Sequence, residues 1–541
     1  MGRFAPLDGR TLDVLVIGGG IIGSGIARDA ALRGLSVALF ERSDFAAGTT
    51  SGSTRLIHGG LRYLEMLDFG LVRLDLRERE ILLRIAPHLV RPLEFLLPYY
   101  DTSLFHRLKM RTGMLMYDAL SFDRSLPGHR QLSASEVRAR EPRLREQGLQ
   151  GAASYYDAQA AMPERLCLEN LIDARDRGAF IFNDAPVVAG IHEGDRLVGV
   201  RVTDIDPDID PDGDSDGVGG ATVDVRGRVV INASGPWFDE LAGRLTSAPA
   251  ARIRRTKGVH VACPPVNQSA LALESPIDGR LFFVIPWLGY SWIGTTDTDF
   301  DGDPAAVHAD ADDVAYVMRS ASHFFPALAD QPIYFSNAGV RALVMEAGSE
   351  SSVSRAHKVE DESRHGVPGL ISILGGKLTG YRGIAEEVTD LACKRLGRAE
   401  PCRTADEPLP GARPGTSAAL PAGAAQTVVD HLAGLYGLRA SGVWALVERD
   451  ASLGRPLASA YPDIGAQVLF AAEHEMCRHV DDFIWRRTRL GFTPDQGVAA
   501  IQPVADLLGR TLGWDAARRA AEVVRAEAAV ARTQRFRESA E

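Results

Sequence analysis

The sequence predicts an α/β fold with a parallel sheet in its first domain and a helical C-terminal region. Three features lead to this prediction: a glycine-rich strand-turn-helix unit at residues 11–35, two later strands that each end at glycine, and helical Ala- and Arg-rich sequence after a proline-rich linker. A chain of 541 residues is long enough for roughly two to four domains.

Composition and charge exclude several classes of protein. The net charge of -11, without a basic stripe, argues against a nucleic acid as partner. Cys167, Cys263, Cys393, Cys402 and Cys477 are widely spaced without a C-x-x-C pair, so we expect neither disulfides nor a metal site. No apolar run reaches the length of about 18 residues that a membrane span needs, and no signal peptide precedes the first strand. The sequence therefore predicts a cytoplasmic protein.

The N-terminal unit has the pattern of a dinucleotide-binding turn. An apolar strand, TLDVLVIGGG, precedes a helix, IIGSGIARDAALRGL, and Gly18, Gly20 and Gly23 form a G-x-G-x-x-G between them. These glycines allow a tight turn, close approach of the backbone to a pyrophosphate, and close packing of helix on strand. The next strand, LSVALFE, ends at Glu41, 18 residues after Gly23, where a carboxylate accepts hydrogen bonds from a ribose.

The motif alone does not distinguish NAD from FAD. The segment after Glu41, RSDFAAGTTSGSTRLIHGG, has small and hydroxyl-bearing residues with little periodicity, which favours a stretch lying along a long cofactor. Two later segments, RGRVVINASGPW and GLISILGGKLTGYRGIAEEVTDLACKRL, each contain a strand that ends at glycine. Such elements meet a ligand at the carboxyl edge of a parallel sheet, so we expect a discontinuous cofactor domain.

Eight segments occur in the order and at about the spacing of one enzyme family. They are IGGGIIGSGIARDAALRGLSVALFE, STRLIHGGLRYLE, INASGPW, TKGVHV, FFVIPW, IGTTDTDF, AGVRALV and GGKLTGYR. Near the C-terminus, EHEMCRHVDDFIWRRTRLG is similar to the terminal helical domain of the same family. On these segments the chain closely resembles the FAD-dependent glycerol-3-phosphate dehydrogenases, respiratory enzymes of the aerobic type that pass electrons to a quinone.

The resemblance implies three domains. The first is a Rossmann-type FAD-binding domain of the amino-acid-oxidase (glutathione-reductase-like) kind, the second an α+β substrate domain with a mixed or antiparallel sheet, and the third a helical cap. The expected boundaries are residues 1–72, 150–245 and 346–398 for the FAD-binding domain, 73–149 and 246–345 for the substrate-binding domain, and 399–541 for the C-terminal helical domain.

The resemblance also implies a non-covalently bound FAD. The residues expected to contact it are Gly18, Gly20, Gly23, Glu41, Thr50, Ser51, Ser53, His58, Gly59, Gly60, Ser234, Gly235, Gly375, Gly376, Lys377, Leu378 and Thr379. In GGKLTG, the two glycines let the backbone approach the flavin. The helix that follows presents its positive end, which stabilises the negative charge of reduced flavin.

The substrate implied by the family is glycerol 3-phosphate, a small alcohol with about two negative charges. Charge-assisted hydrogen bonds must supply its affinity. The matching positions are Arg62, Tyr63, His260, Arg341, Lys377 and Thr379. His260 is expected to accept the proton of the C2 hydroxyl, or only to orient it, while hydride leaves C2 for the flavin N5. Arg341 and Lys377 are the other expected catalytic residues, because either could share the path of that proton.

Three positions depart from the family pattern. Ala342 follows Arg341 where proline is common, Gly380 replaces a second threonine, and Arg55 stands where a lysine is often found. None of the three removes a charge that the chemistry needs. The alternatives are a glycerol-3-phosphate oxidase that uses oxygen, an amine or 2-hydroxy-acid oxidase, and an inactive flavin-binding scaffold.

The family comparison further implies a quinone as acceptor and a peripheral position at the inner face of the cytoplasmic membrane, and it leaves a homodimer open. Two charged segments are given structural roles instead. The Asp-rich stretch 203–220 has D-x-D-x-D-G at Asp208, but Gly219 stands where a calcium loop needs an acid, which favours a solvated hairpin insertion. The Arg-rich stretch from Asp515 also carries glutamates, which favours a surface helix over a lipid-binding one.

Overall fold

The computed structural model describes residues 2–66, 68–101, 103–205, 222–246, 251–345, 357–414 and 425–538, with the backbone alone at Arg62, Glu65, Leu104 and His106. Most of the Asp-rich stretch 203–220 lies outside these residues, so its predicted hairpin stays a prediction.

The strands and helices follow in chain order. The strands are β1 (Thr11–Ile17), β2 (Val37–Phe40), β3 (Leu56–Ile57), β4 (Val90–Tyr100), β5 (Arg130–Ser133), β6 (Leu149–Ala160), β7 (Phe180–Phe182), β8 (Val187–Glu193), β9 (Arg196–Thr203), β10 (Thr222–Asn232), β11 (Ile253–Cys263), β12 (Ala270–Glu274), β13 (Leu281–Trp287), β14 (Tyr290–Gly294), β15 (Thr298–Asp299), β16 (Phe335–Val344), β17 (Lys358–Asp361) and β18 (Leu370–Leu374). The α-helices are α1 (Ile21–Leu32), α2 (Arg62–Glu65), α3 (Phe69–Ile85), α4 (Leu104–Leu120), α5 (Ala134–Arg140), α6 (Pro163–Asp176), α7 (Phe238–Leu245), α8 (Ala311–Ser322), α9 (Tyr381–Leu396), α10 (Gln426–Tyr436), α11 (Ala440–Arg449), α12 (Gly465–His474), α13 (Val480–Asp482), α14 (Val498–Leu512) and α15 (Ala516–Gln534).

The first sheet contains the predicted parallel strands. β1 pairs in parallel with β10 on one side and β2 on the other, and β18 and β7 extend the sheet in parallel. The order is β17-β18-β10-β1-β2-β7, with β17 antiparallel and the β8-β9 hairpin attached to β10. Helices α1, α6 and α9 pack together beside it. Because β1, β10 and β18 are adjacent and parallel, the glycine turns that follow them lie at one edge.

The second sheet is mixed, as expected for the substrate domain. Its order is β15-β11-β14-β13-β12-β4-β6-β3, with β16 beside β11 and β5 beside β6. All of its pairs are antiparallel except that of β12 with β4. Its core contains Trp287 and Trp292, from the hairpin of β13 and β14.

The domain boundaries stay a prediction, and two strands near them pair outside the domain that the prediction gives them. β6 and β3 lie in segments assigned to the FAD-binding domain, yet both pair within the second sheet.

The C-terminal region is helical, from α10 to α15. Buried ion pairs of Arg165 with Glu475 (2.6 Å) and of Arg487 with Asp44 (2.7 Å) join it to the half that contains the first sheet. None of the described helices combines the length and the apolar content that crossing a bilayer requires.

Candidate active site

One cavity of about 2240 Å³ runs along the edge where the glycine turns of the first sheet meet the second sheet. The turns after β1, β10 and β18 supply one wall, and the second sheet supplies another through residues of β13 and β16. Elements from distant parts of the chain therefore line a single space, which exceeds the roughly 300–1,000 Å³ of pockets for drug-sized ligands and so has room for a larger one.

The first turn brings the backbone to the cavity wall. Gly18 has φ +111°, and a Cβ atom there would lie 2.5 Å from the carbonyl oxygen of Ala233. Gly23 faces away from the cavity, where a Cβ atom would lie 1.9 Å from the oxygen of Gly18, so this residue permits packing of helix on strand. The hydroxyl of Thr50 accepts a hydrogen bond from the Ile21 N–H (3.0 Å) at the start of α1. Close approach of the backbone at Gly18 and packing of helix on strand at Gly23 are the roles that glycines have in a dinucleotide-binding turn.

Glu41 follows β2 and also lines the cavity. Its carboxylate accepts hydrogen bonds from the N–H groups of Gly19 (2.6 Å) and Ser43 (3.0 Å). Burial raises the pKa of Glu41, and these backbone donors counteract it only in part. The carboxylate is thus fixed beside the first turn, at the position expected to receive a ribose.

The turn after β18 lies opposite the HGG segment. Gly376 has φ +112°, and a Cβ atom there would lie 2.6 Å from the side chain of Ile22. The hydroxyl of Thr379 accepts a hydrogen bond from the His58 N–H (3.1 Å), which ties the two segments together. Sequence positions more than 300 residues apart are thereby joined in one wall.

The predicted cofactor residues form a cradle that fits FAD. All of them line the cavity except Gly23 and Gly59. A Cβ atom at Gly59 would lie 2.6 Å from both Leu76 and the Tyr117 hydroxyl, so Gly59 permits packing behind the wall. Backbone turns, hydroxyl groups and a fixed carboxylate are the groups that a dinucleotide requires.

The predicted substrate residues converge on the same cavity. Tyr63, Arg341, Lys377 and Thr379 line it, whereas the side chain of Arg62 lies outside the part of the structure that is described. The Lys377 ammonium lies 3.7 Å from the centre of the Tyr63 ring. The Arg341 guanidinium is held by the Thr295 hydroxyl at 2.8 Å and by Asp297 at 3.1 Å.

His260 lies behind the cavity wall. It is 1% exposed and is not among the described residues that line the cavity. Its Nε2 lies 3.1 Å from the hydroxyl of Thr54, which does line the cavity, and its ring stacks on Trp292 at 5.1 Å. Burial, together with Arg341 and Arg55, holds the pKa of His260 well below its usual range. The geometry lets this imidazole reach the cavity through Thr54, and its role as proton acceptor stays a prediction.

Several residues at the site were absent from the sequence prediction, among them Thr295 and Asp297 beside Arg341, and also Thr54 and Asp75. Thr54 belongs to a segment rich in hydroxyl residues, where nothing distinguishes it from its neighbours. Asp75 lies 3.0 Å from Lys377 and is buried on α3. The sequence did contain a signal for the burial of Asp75, because this residue falls on the same helix face as the buried Val72 and Leu76.

Comparison with known proteins connects this site to a family. The FAD dependent oxidoreductase family matches residues 13–390, and the C-terminal domain of alpha-glycerophosphate oxidase matches residues 402–519. A glycerol-3-phosphate dehydrogenase of Synechocystis sp. is 40% identical in an alignment 541 positions long that covers 95% of each chain. The chain belongs to the FAD-dependent glycerol-3-phosphate dehydrogenase family.

Further dehydrogenases of this family agree. The aerobic glycerol-3-phosphate dehydrogenase of Staphylococcus saprophyticus is 34% identical over 536 residues, covering 94% of this chain and 92% of the other. The X-ray structure of the glycerol-3-phosphate dehydrogenase from Bacillus halodurans, complexed with FAD, matches with a TM-score of 0.77 and 28% identity, covering 100% and 98% of the two chains. The predicted family, fold class and cofactor are confirmed.

Proposed function

We propose that the chain oxidises sn-glycerol 3-phosphate to dihydroxyacetone phosphate and passes the electrons to a quinone. The observation that carries the proposal is the position of Lys377, which directly follows Gly375 and Gly376, the glycines assigned to the flavin, and lines the same cavity as Arg341. Bound FAD supplies the acceptor for the hydride that leaves C2. The cations of the chain supply the charge that a substrate with about two negative charges needs.

The two cations are held in different ways, which suits them to different parts of the substrate. The Thr295 hydroxyl, the Thr296 carbonyl and Asp297 fix the plane of the Arg341 guanidinium, so its positive charge has a defined position at the cavity. Lys377 is a point charge that lies over Tyr63. We assign both to the substrate anion, with Tyr63 and Thr379 as neighbouring hydroxyl groups.

For the proton of the C2 hydroxyl, we propose His260 acting through the hydroxyl of Thr54. Thr54 stands between His260 Nε2 and the cavity, and burial together with Arg341 and Arg55 lowers the pKa of His260, which keeps the imidazole neutral at neutral pH, the form that accepts a hydrogen bond. The second candidate is His58, because it lines the cavity. Replacing each with asparagine separates them: loss of kcat in His58→Asn alone would assign the proton to His58.

The membrane part of the proposal is supported by α4 at the mouth of the cavity. Its Phe105, Leu108 and Leu115 are 78%, 60% and 61% exposed, and Phe105 and Leu108 also line the cavity. The basic residues Lys109 and Arg111 lie on the same helix and are exposed. Apolar side chains interspersed with cations suit a bilayer surface with anionic headgroups. We place the chain at the inner face of the cytoplasmic membrane, where a quinone can approach the cavity.

One experiment tests the proposal against its alternatives. The purified flavoprotein is mixed with glycerol 3-phosphate without oxygen, and the flavin absorbance is expected to bleach and to return on addition of a soluble quinone. Stoichiometric hydrogen peroxide with oxygen would instead identify an oxidase. Bleaching by amines or 2-hydroxy acids, without inhibition by phosphorylated compounds, would identify the amine or 2-hydroxy-acid oxidase. An intact flavin that none of these substrates bleaches would leave the inactive scaffold.

A further inference from the structure

Helix α3 carries three buried charged residues on one face. Asp75, Glu78 and Arg79 are each 1% exposed, and charged residues are almost never so buried unless they are paired. They are spaced three and four residues apart, so they lie together on the side of the helix that faces the site. The partner of each one shows what this face of the helix supports.

Two of the three support the site from outside the cavity. Glu78 forms a bidentate pair with Arg382 (2.6 and 2.7 Å) in the first turn of α9, directly after the GGKLTG turn. Arg79 pairs with Asp157 (2.6 Å), which also accepts hydrogen bonds from the Tyr117 hydroxyl (2.8 Å) and, at 3.4 Å, from the Gly59 N–H. These contacts hold the GGKLTG and HGG segments in place.

The third residue has a partner inside the cavity wall. The Asp75 carboxylate lies 3.0 Å from the Lys377 ammonium, with exposed side-chain fractions of 2% and 19%. Tyr63 contacts the same ammonium through its ring. Burial raises the pKa of Asp75, and the charge of Lys377 opposes that shift, while Asp157 and Glu78 add to it. The carboxylate and the ring thus hold one cation from two directions.

We propose that Asp75 is a positioning residue that holds the Lys377 ammonium where the phosphate-bearing substrate meets it. The inference rests on the proposed role of Lys377 in substrate binding. It has two opposite consequences. Asp75 fixes the geometry in which Lys377 acts, which favours turnover. Its negative charge also repels an incoming anion, which weakens the affinity for that anion.

Asp75→Asn separates these consequences, because asparagine keeps an oxygen acceptor and removes the charge. In the FAD-containing enzyme, kcat for glycerol 3-phosphate is expected to fall about 10-fold from misplacement of Lys377. The Kd of inorganic phosphate, measured from the flavin difference spectrum, is expected to fall about 3-fold because a repelling charge is gone. A residue with a purely structural role would weaken turnover and phosphate binding together, and that result would overturn the proposal.

The Lys377→Met background shows whether Asp75 acts through Lys377. There, Asp75→Asn is expected to change kcat less than about 2-fold, since the group it positions is absent. An equal loss in both backgrounds would refute the proposal. Glu78→Gln is the matched control on the same helix face, and it is expected to lower the Tm without tightening phosphate binding.

A second variant covers the case in which Asp75→Asn fails to retain FAD. Asp75→Glu keeps the charge and displaces it by one methylene, so kcat is expected to fall while the Kd of phosphate stays within about 2-fold. An unchanged kcat would contradict the positioning role. Should the wild-type enzyme not turn over glycerol 3-phosphate, the proposed function fails, and the phosphate titration still reports whether Asp75 opposes an anion at Lys377.

Discussion

Gly258→Ala is expected to disable Arg341 without altering Arg341 itself. A Cβ atom at residue 258 would lie 2.2 Å from one terminal nitrogen of the Arg341 guanidinium and 2.6 Å from its Cζ atom. An ordinary contact needs about 3.4 Å, so the guanidinium must move by about 1.2 Å. That shift takes it from the Thr295 and Asp297 contacts that fix its plane.

The expected result is a loss of about 100-fold in kcat/KM for glycerol 3-phosphate, since a misplacement of about 1 Å costs roughly that factor. The third atom that this Cβ would meet is the Thr295 hydroxyl oxygen at 2.7 Å, so all three are side-chain atoms and the fold should persist. Steady-state kinetics measures the loss in kcat/KM, and flavin content and Tm report whether the fold persists. In an Arg341→Ala background the same substitution should change kcat/KM by less than about 2-fold. Wild-type kinetics in Gly258→Ala would refute the assignment of Arg341 to the substrate.

Three further outcomes are expected. Burial lowers the pKa of His479, but hydrogen bonds to carboxylates including Glu522 outweigh this effect and raise the pKa to about 10. The stability that this imidazolium contributes is therefore complete below about pH 6.5 and is lost as the pH rises through about 10. The Tm should fall across this window, and His479→Gln should make the fall smaller. Gly23→Ala should abolish retention of FAD after gel filtration, because its Cβ atom would meet a backbone oxygen at 1.9 Å. Glu164→Ala should lower the free energy of unfolding by about 3–5 kcal/mol in chemical denaturation, because it leaves the buried guanidinium of Arg55 unpaired; a loss below about 1 kcal/mol would contradict this.

The sequence predicted the fold on the cofactor side of the cavity because the signals for it are local. The turn after Gly18 and the turn at Gly376 each combine a strand, glycine and a helix within about 20 residues, and such patterns fix their own geometry. The sequence also predicted that these strands end at the carboxyl edge of a parallel sheet, and the structure adds that β1, β10 and β18 are neighbours in it. The sequence placed β6 in a segment of the FAD-binding domain by its position in the chain, whereas β6 pairs with β4 in the second sheet through contacts far apart in sequence.

The substrate side was predicted less completely because burial there depends on the whole fold. The sequence places His260 on a strand, but the Trp292 ring that stacks on it and the Thr54 hydroxyl that lies between it and the cavity come from two other segments. Asp75 pairs with a lysine 302 positions later, which no local pattern can indicate. The sequence thus shows which residue types are present, but it does not show which residues His260 and Asp75 contact.

The adjacency of β1, β10 and β18 also orders events during synthesis. The first glycine turn leaves the ribosome early, but its companion strand β10 ends at Asn232 and the third turn follows Leu374. Nascent chains that stop before Gly376 lack the third glycine turn of the FAD cradle and also Lys377. Loading with flavin must therefore await roughly the first two thirds of translation, and truncated products should emerge colourless.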